Sequence, residues 1–114
     1  MLSHYDNATL YNDSIVAQIV KRFQKQDAIV IYVPDHGEEC YEENRGFICR
    51  NHSAEIDWPL AHYEFEIPFW IYCSPKYIRN HRDIYRQIRK AKDKRFMTDA
   101  LPHLLLYLAG IETP

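Results

Sequence analysis

The sequence predicts an α/β fold. Three observations carry that expectation: apolar residues recur at helical spacing from Tyr11 to Phe23, the β-branched run from Ala28 to Val33 follows at once, and a second strand and further helices come after it. A helix feeding a buried strand is half of a βαβ unit, and such folds gather their functional groups at the carboxyl ends of their strands. The chain has 114 residues, room for one small domain or a piece of a larger one and too few for two separate cores. Its residues are 46% apolar and 14% aromatic with only three glycines, a composition that buries a core and is foreign to a disordered chain.

In the first helix Tyr11, Ile15, Val16, Ile19, Val20 and Phe23 form the apolar stripe, and Asp6, Asn7 and Thr9 are the residues able to cap its start. Asp27 leads into Ala28-Ile29-Val30-Ile31-Tyr32-Val33, whose unbroken apolar character is that of a strand covered on both faces, as in parallel sheets. Pro34 ends it. Residues 35–66 show no sustained period and read as one long loop, a length that in compact domains goes with function or disorder. Nine acids lie in that segment against Arg45 and Arg50.

A second strand is expected from Ile67 to Cys73, with Pro68 near its start, where a missing N–H is tolerated. Ile84, Ile88 and Ala91 then set a helix over His81 to Lys94. The stretch from Lys76 to Arg95 carries nine of the 14 lysines and arginines, with only Asp83 and Asp93 as acids, and so opposes the acidic loop in charge. The last helix has Thr98 or Asp99 as cap, Pro102 in its first turn, a stripe of Leu101, Leu104, Leu105 and Leu108, and Gly110 as its stop.

A net charge of −2 leaves no overall electrostatic footprint for nucleic acid. No apolar run approaches the ~20 residues that cross a bilayer, and Met1-Leu2-Ser3-His4-Tyr5-Asp6 lacks the basic start and apolar stretch of a signal peptide, so the chain alone is expected to be soluble. Cys40, Cys49 and Cys73 are odd in number and form no CxxC pair. They read as free thiols, with a Cys40–Cys49 bridge as the alternative, and give no support for a zinc knuckle.

The strongest chemical signal is Val33-Pro34-Asp35-His36-Gly37-Glu38, a carboxylate and an imidazole side by side where a strand ends. An Asp oxygen and a His nitrogen both approach zinc at ~2.0–2.2 Å, and the glycine lets the backbone turn tightly around a metal. Taken alone, Asp-His-Gly is more often a solvated turn. His52, on the loop leaving this strand, can fold back as a further ligand or stay a surface histidine; His62 is a weaker candidate of the same kind. His4 and His81 read as surface residues and His103 as a packed or capping one. Glu38 and Glu39 can orient a ligand histidine or simply solvate the loop.

The basic helix can bind phosphate or an anionic lipid surface, although a solvated face balancing the acidic loop is the commoner case. Tyr63, Phe65, Phe69, Trp70 and Tyr72 read as core. No nucleophile stands out, since Ser14, Ser53 and Ser74 have no paired base in the sequence and no nucleophile signature surrounds Cys40 or Cys49.

The order of these motifs carries a resemblance. Tyr5-Asp6-Asn7-Ala8-Thr9-Leu10-Tyr11, then Ile31-Tyr32-Val33-Pro34-Asp35-His36-Gly37-Glu38-Glu39, then Phe65-Glu66-Ile67-Pro68-Phe69-Trp70-Ile71-Tyr72-Cys73-Ser74, and finally Thr98 to Ile111, together resemble the carboxyl-terminal part of the phosphoethanolamine transferases. These are members of the sulfatase and alkaline phosphatase superfamily. Pro34 stands where the family usually has serine. The resemblance covers nearly the whole chain and implies an alkaline-phosphatase-like fold in which residues 1–114 are the carboxyl-terminal portion of the catalytic domain.

By that resemblance Asp35 and His36 are ligands of a catalytic zinc, and His52 matches the histidine that follows in the family's metal loop. The implied chemistry moves phosphoethanolamine from a phospholipid to a lipid or glycan acceptor through a phosphorylated threonine. That threonine, a further acidic ligand and the membrane helices belong upstream of the Tyr5-Asp6-Asn7 motif; Thr9 and Thr98 lie in other motifs and do not take the role. The chain is therefore expected to be an inactive fragment of an enzyme anchored in the cytoplasmic membrane, its catalytic domain on the periplasmic or extracytoplasmic side. A sulfatase or phosphoglycerol transferase of the same superfamily is the near alternative, and a non-catalytic binding or assembly domain, self-associating through open strand edges, is the distant one.

Overall fold

The computed structural model describes residues 2–40, 48–49 and 58–112. Helix α1 spans Leu2–Phe23, 22 residues, and so begins well before the expected caps. No glycine or proline precedes Pro34 to break it. Thr9, expected to cap, lies inside and donates its hydroxyl to the Tyr5 carbonyl at 3.0 Å, the back-bond by which a helix interior accommodates threonine.

Strand β1, Ile29–Tyr32, follows as expected, but its partner runs the other way. It pairs antiparallel with β4, Trp70–Cys73, in the register Ile29↔Cys73, Val30↔Tyr72, Ile31↔Ile71 and Tyr32↔Trp70. The parallel, fully covered strand predicted from the apolar run is thus corrected: all four β1 residues are only half-buried. β4 is also shorter than expected, because the chain from Ile67 to Phe69 is not in the ladder.

The single loop expected over residues 35–66 is likewise corrected. Its described parts hold a short antiparallel ribbon of β2, Glu39–Cys40, with β3, Ile48–Cys49, and a helix α2, Trp58–Phe65. The helix expected over His81 to Lys94 is present as α4, Arg82–Ala91, and a further helix that was not expected, α3 Pro75–Asn80, precedes it. His81 divides them: its N–H closes α3 on the Tyr77 carbonyl at 2.8 Å while its own carbonyl accepts from Tyr85 at 3.0 Å. A single 3₁₀ turn, Thr98–Ala100, leads into α5, Leu101–Leu108. Gly110 follows with φ of 73°, a left-handed stop open to glycine.

What joins the pieces is Ser74, fully buried between β4 and α3. Its hydroxyl accepts the N–H of Ala28 and the N–H of Tyr77, each at 3.1 Å, and donates to the Gln26 carbonyl at 2.5 Å. Its N–H reaches the Ala28 carbonyl at 3.0 Å. Beside it, Asn80 donates to Asp27 at 3.0 Å, and His81 Nε2 lies 3.4 Å from the same carboxylate. His81, expected as a plain surface residue, also packs its ring on Tyr77. Tyr77 is buried and its hydroxyl donates to the Leu108 carbonyl at 3.3 Å, which ties α5 to the rest.

The core expected from composition is small. Among the described residues only Ser74, Tyr77 and Leu108 are buried. On α1, Val16 and Val20 are half-buried, whereas Tyr11, Ile15, Ile19 and Phe23 remain exposed. A two-stranded sheet is too narrow to cover a helix of this length. Phe65 and Trp70, expected in the core, are exposed too, although Trp70 stacks on Tyr32 with ring centroids 5.3 Å apart.

Ser74→Ala strands the buried N–H of Tyr77 and the part-buried N–H of Ala28 and is expected to lower the unfolding free energy by about 2 kcal/mol in a urea titration. The hydrogen bond from Asn80, aided by His81, holds the Asp27 carboxyl below its ordinary value of 3.8. The folded chain therefore binds fewer protons there than the unfolded one. Its stabilisation is complete above the ordinary carboxylate value and fades as pH falls through the folded one. Acid unfolding curves should be flatter in this limb for Asp27→Asn than for wild type.

Candidate metal centre

β1 aims the chain at the site. Past Tyr32 the ladder stops, since Pro34 has no N–H to offer, and Asp35-His36-Gly37 turn away from the sheet end. Asp35 is exposed and His36 is half-buried. Asp35 Oδ1 accepts the His36 backbone N–H at 3.1 Å, which fixes the carboxylate relative to the turn.

The His36 ring is fixed in its own way. Its Nδ1 lies 2.8 Å from the Gly37 carbonyl oxygen. A carbonyl can only accept, so Nδ1 carries the proton and Nε2 keeps a free electron pair in the neutral ring. That is the arrangement in which a histidine is usually presented to a metal, with a backbone carbonyl orienting the ring from behind. Nε2 in turn faces Asp35 Oδ2 across 3.6 Å. Two ligands on a tetrahedral zinc at ~2.05 Å stand about 3.3 Å apart, so this pair meets the spacing to within a few tenths of an ångström.

The two atoms form an ion pair when the ring is protonated, and the same carboxylate oxygen and imidazole nitrogen can serve as two ligands of a divalent cation. They make an incomplete set. Among the described residues no group of three or more His, Cys, Asp or Glu comes together. His52, the third expected ligand, lies outside the described residues.

The other sequence candidates are placed elsewhere. His62 Nδ1 is 3.1 Å from Glu66, one helical turn on, and is engaged there. His103, expected to be packed or capping, is exposed on α5. Glu38 is half-buried, and the orienting bond foreseen for it comes from the Gly37 carbonyl instead. Backbone atoms leave no trace in residue type, so the sequence offered only the glycine itself. Cys73 is a free thiol whose pKa burial raises, which suppresses the thiolate and leaves it inert. Cys40 and Cys49 sit on the β2–β3 ribbon, where Cys40 opposes Ile48 and Cys49 opposes Glu39 in the backbone register.

A carboxylate and an imidazole at a strand end are residue types able to ligate a divalent metal. Residues 1–111 match the sulfatase family, and the chain belongs to that family. Its relatives include the phosphoethanolamine transferase EptC of Escherichia coli O18:K1:H7 (strain RS218 / NMEC), 34% identical over 94% of this chain and 18% of the relative. The Kdo(2)-lipid A phosphoethanolamine 7''-transferase of Escherichia coli K12 is 30% identical over 82% of this chain and 16% of its own length. Phosphoethanolamine transferase EptA of Helicobacter pylori (strain ATCC 700392 / 26695) is 32% identical over 76% of this chain and 16% of its own. The chain thus spans less than a fifth of the length of these relatives. No solved structure matches it.

The tautomer is directly measurable. Long-range ¹⁵N–¹H correlation at neutral pH, without added metal, should show His36 protonated at Nδ1, and a ring protonated at Nε2 instead would remove the orienting role of Gly37.

Proposed function

We propose that this chain is the carboxyl-terminal portion of the catalytic domain of a zinc-dependent phosphoethanolamine transferase, with Asp35, His36 and His52 among the metal ligands. The observation that carries the reading is the facing of Asp35 Oδ2 and His36 Nε2 across 3.6 Å, with the ring held by Gly37. The transferase names of the relatives support the reaction class, and one of those names includes a lipid A acceptor. The exposed apolar row on α1 supports a chain that packs against more protein than it contains.

Bound zinc would lower the pKa of a nucleophilic threonine and offset charge on the phosphoryl oxygens. The residues of this chain hold and aim. Asp35 supplies an anionic oxygen, while its second oxygen accepts the His36 N–H. His36 offers Nε2 because Gly37 holds the proton on the far side of the ring. The threonine and the remaining ligands would come from the rest of the whole protein, as would its membrane anchor. No helix among the described residues is long and apolar enough to cross a membrane. The donor would be a phospholipid and the acceptor a lipid or glycan.

Zinc titration by calorimetry should show binding to the chain that Asp35→Ala and His36→Ala each weaken by at least about tenfold, with His52→Ala behaving alike. A wild-type chain that takes up no more zinc than the Asp35→Ala, His36→Ala double variant overturns the site.

A further inference from the structure

A second surface, unrelated to the metal turn, stands out on α4. Arg82, Tyr85, Arg86, Arg89 and Lys90 line one shallow groove along the helix, at the i, i+3, i+4, i+7 and i+8 positions that share a face. All four cations are exposed. Arg86 reaches Asp83 at 3.5 Å, and Arg82, Arg89 and Lys90 have no ion pair among the described residues.

Helix stability does not account for this face. Arg89 and Lys90 lie in the last turn, where cations offset the helix dipole, but Arg82 is the first residue of α4, where a cation opposes it. Lys76 and Arg79 on α3 add further positive charge just ahead of it. Concentrating like charge at a helix start costs stability, and a partner of opposite charge would repay it.

The chemistry around the face selects the partner. The chain runs on from α4 through Lys92, Lys94 and Arg95 directly into Phe96 and Met97, and both of these are exposed, Met97 at 73%. Basic residues followed by a protruding apolar side chain, here Met97, suit a lipid interface, where headgroups meet the cations and the apolar tip enters the acyl boundary. Single-stranded nucleic acid would want open aromatic faces, yet Phe96 is already stacked on Phe69 with centroids 4.8 Å apart. We propose that the basic face of α4 docks on the anionic headgroup surface of a membrane.

The inference stands apart from the metal reading, since vesicle binding tests one and zinc binding the other. The 114-residue chain is sedimented with phosphatidylcholine vesicles that do or do not contain phosphatidylglycerol. It should partition onto the anionic vesicles only and be released by salt as the Debye length shrinks. The combined variant Arg82→Gln, Arg86→Gln, Arg89→Gln, Lys90→Gln should lose about 100-fold or more in partition coefficient, since ~1 kcal/mol per cation is about fivefold each. These side chains are exposed, and the charge-keeping variant Arg82→Lys, Arg86→Lys, Arg89→Lys should stay within about threefold of wild type. Equal binding to neutral vesicles, undiminished binding of the Gln variant, or capture of single-stranded nucleic acid in preference to anionic vesicles overturns the proposal.

Discussion

The Ser74 hydroxyl is the constraint on which the arrangement depends. It closes the turn between α1 and β1, at Gln26 and Ala28, onto the junction between β4 and α3, at its own position and Tyr77. One side chain therefore fixes where β1 begins, which register it takes with β4 and where α3 starts. Tyr32 and Trp70, the last pair of the same ladder, stack at its far end. The Asp35–His36 turn follows within three residues, beyond a sheet clamped at one end by a buried hydroxyl and at the other by stacked rings. Slipping the register by one residue would turn every β1 side chain to the other face and undo both clamps at once.

Sequence reasoning reached the parts that depend on local pattern. β1 and α5 were legible because β-branched density and a leucine stripe ended by Gly110 are local signals. The placement of Asp35 and His36 just past a strand end was legible for the same reason. The antiparallel partner of β1 was not legible, since a run of apolar residues tells of burial and says nothing of the direction of the neighbouring strand. α3 carried a signal that went unread: serine at the cap position with proline next, Ser74-Pro75, is a helix start. In the sequence alone Ser74 is a hydroxyl without a paired base, and its buried capping role depends on Gln26 and Ala28, more than forty residues away. The orienting bond to His36 was hidden more deeply, because it comes from a backbone carbonyl.

The uncovered surfaces differ in what can satisfy them. On α1, Tyr11, Ile15, Ile19 and Phe23 form a row about 18 Å long at 1.5 Å per residue. Each such side chain gains roughly 1.5–3 kcal/mol when fully covered, and that gain comes only from close apolar contact over the length of the row. Water and mobile headgroups cannot supply it. Another packed protein surface can, which accords with a chain that matches under a fifth of each relative's length.

The basic face of α4 obeys a different law. A guanidinium at its edge is already hydrated, so covering it with apolar protein would cost desolvation, whereas a layer of anions lowers its energy without drying it. Coulomb attraction over a Debye length of about 8 Å tolerates loose geometry, so four exposed cations need no shaped pocket to act together. Apolar rows ask for a fixed partner and cationic rows for a fluid one. The exposed Met97 beside the basic run combines both demands at one place, and an interface between charged headgroups and acyl chains meets both.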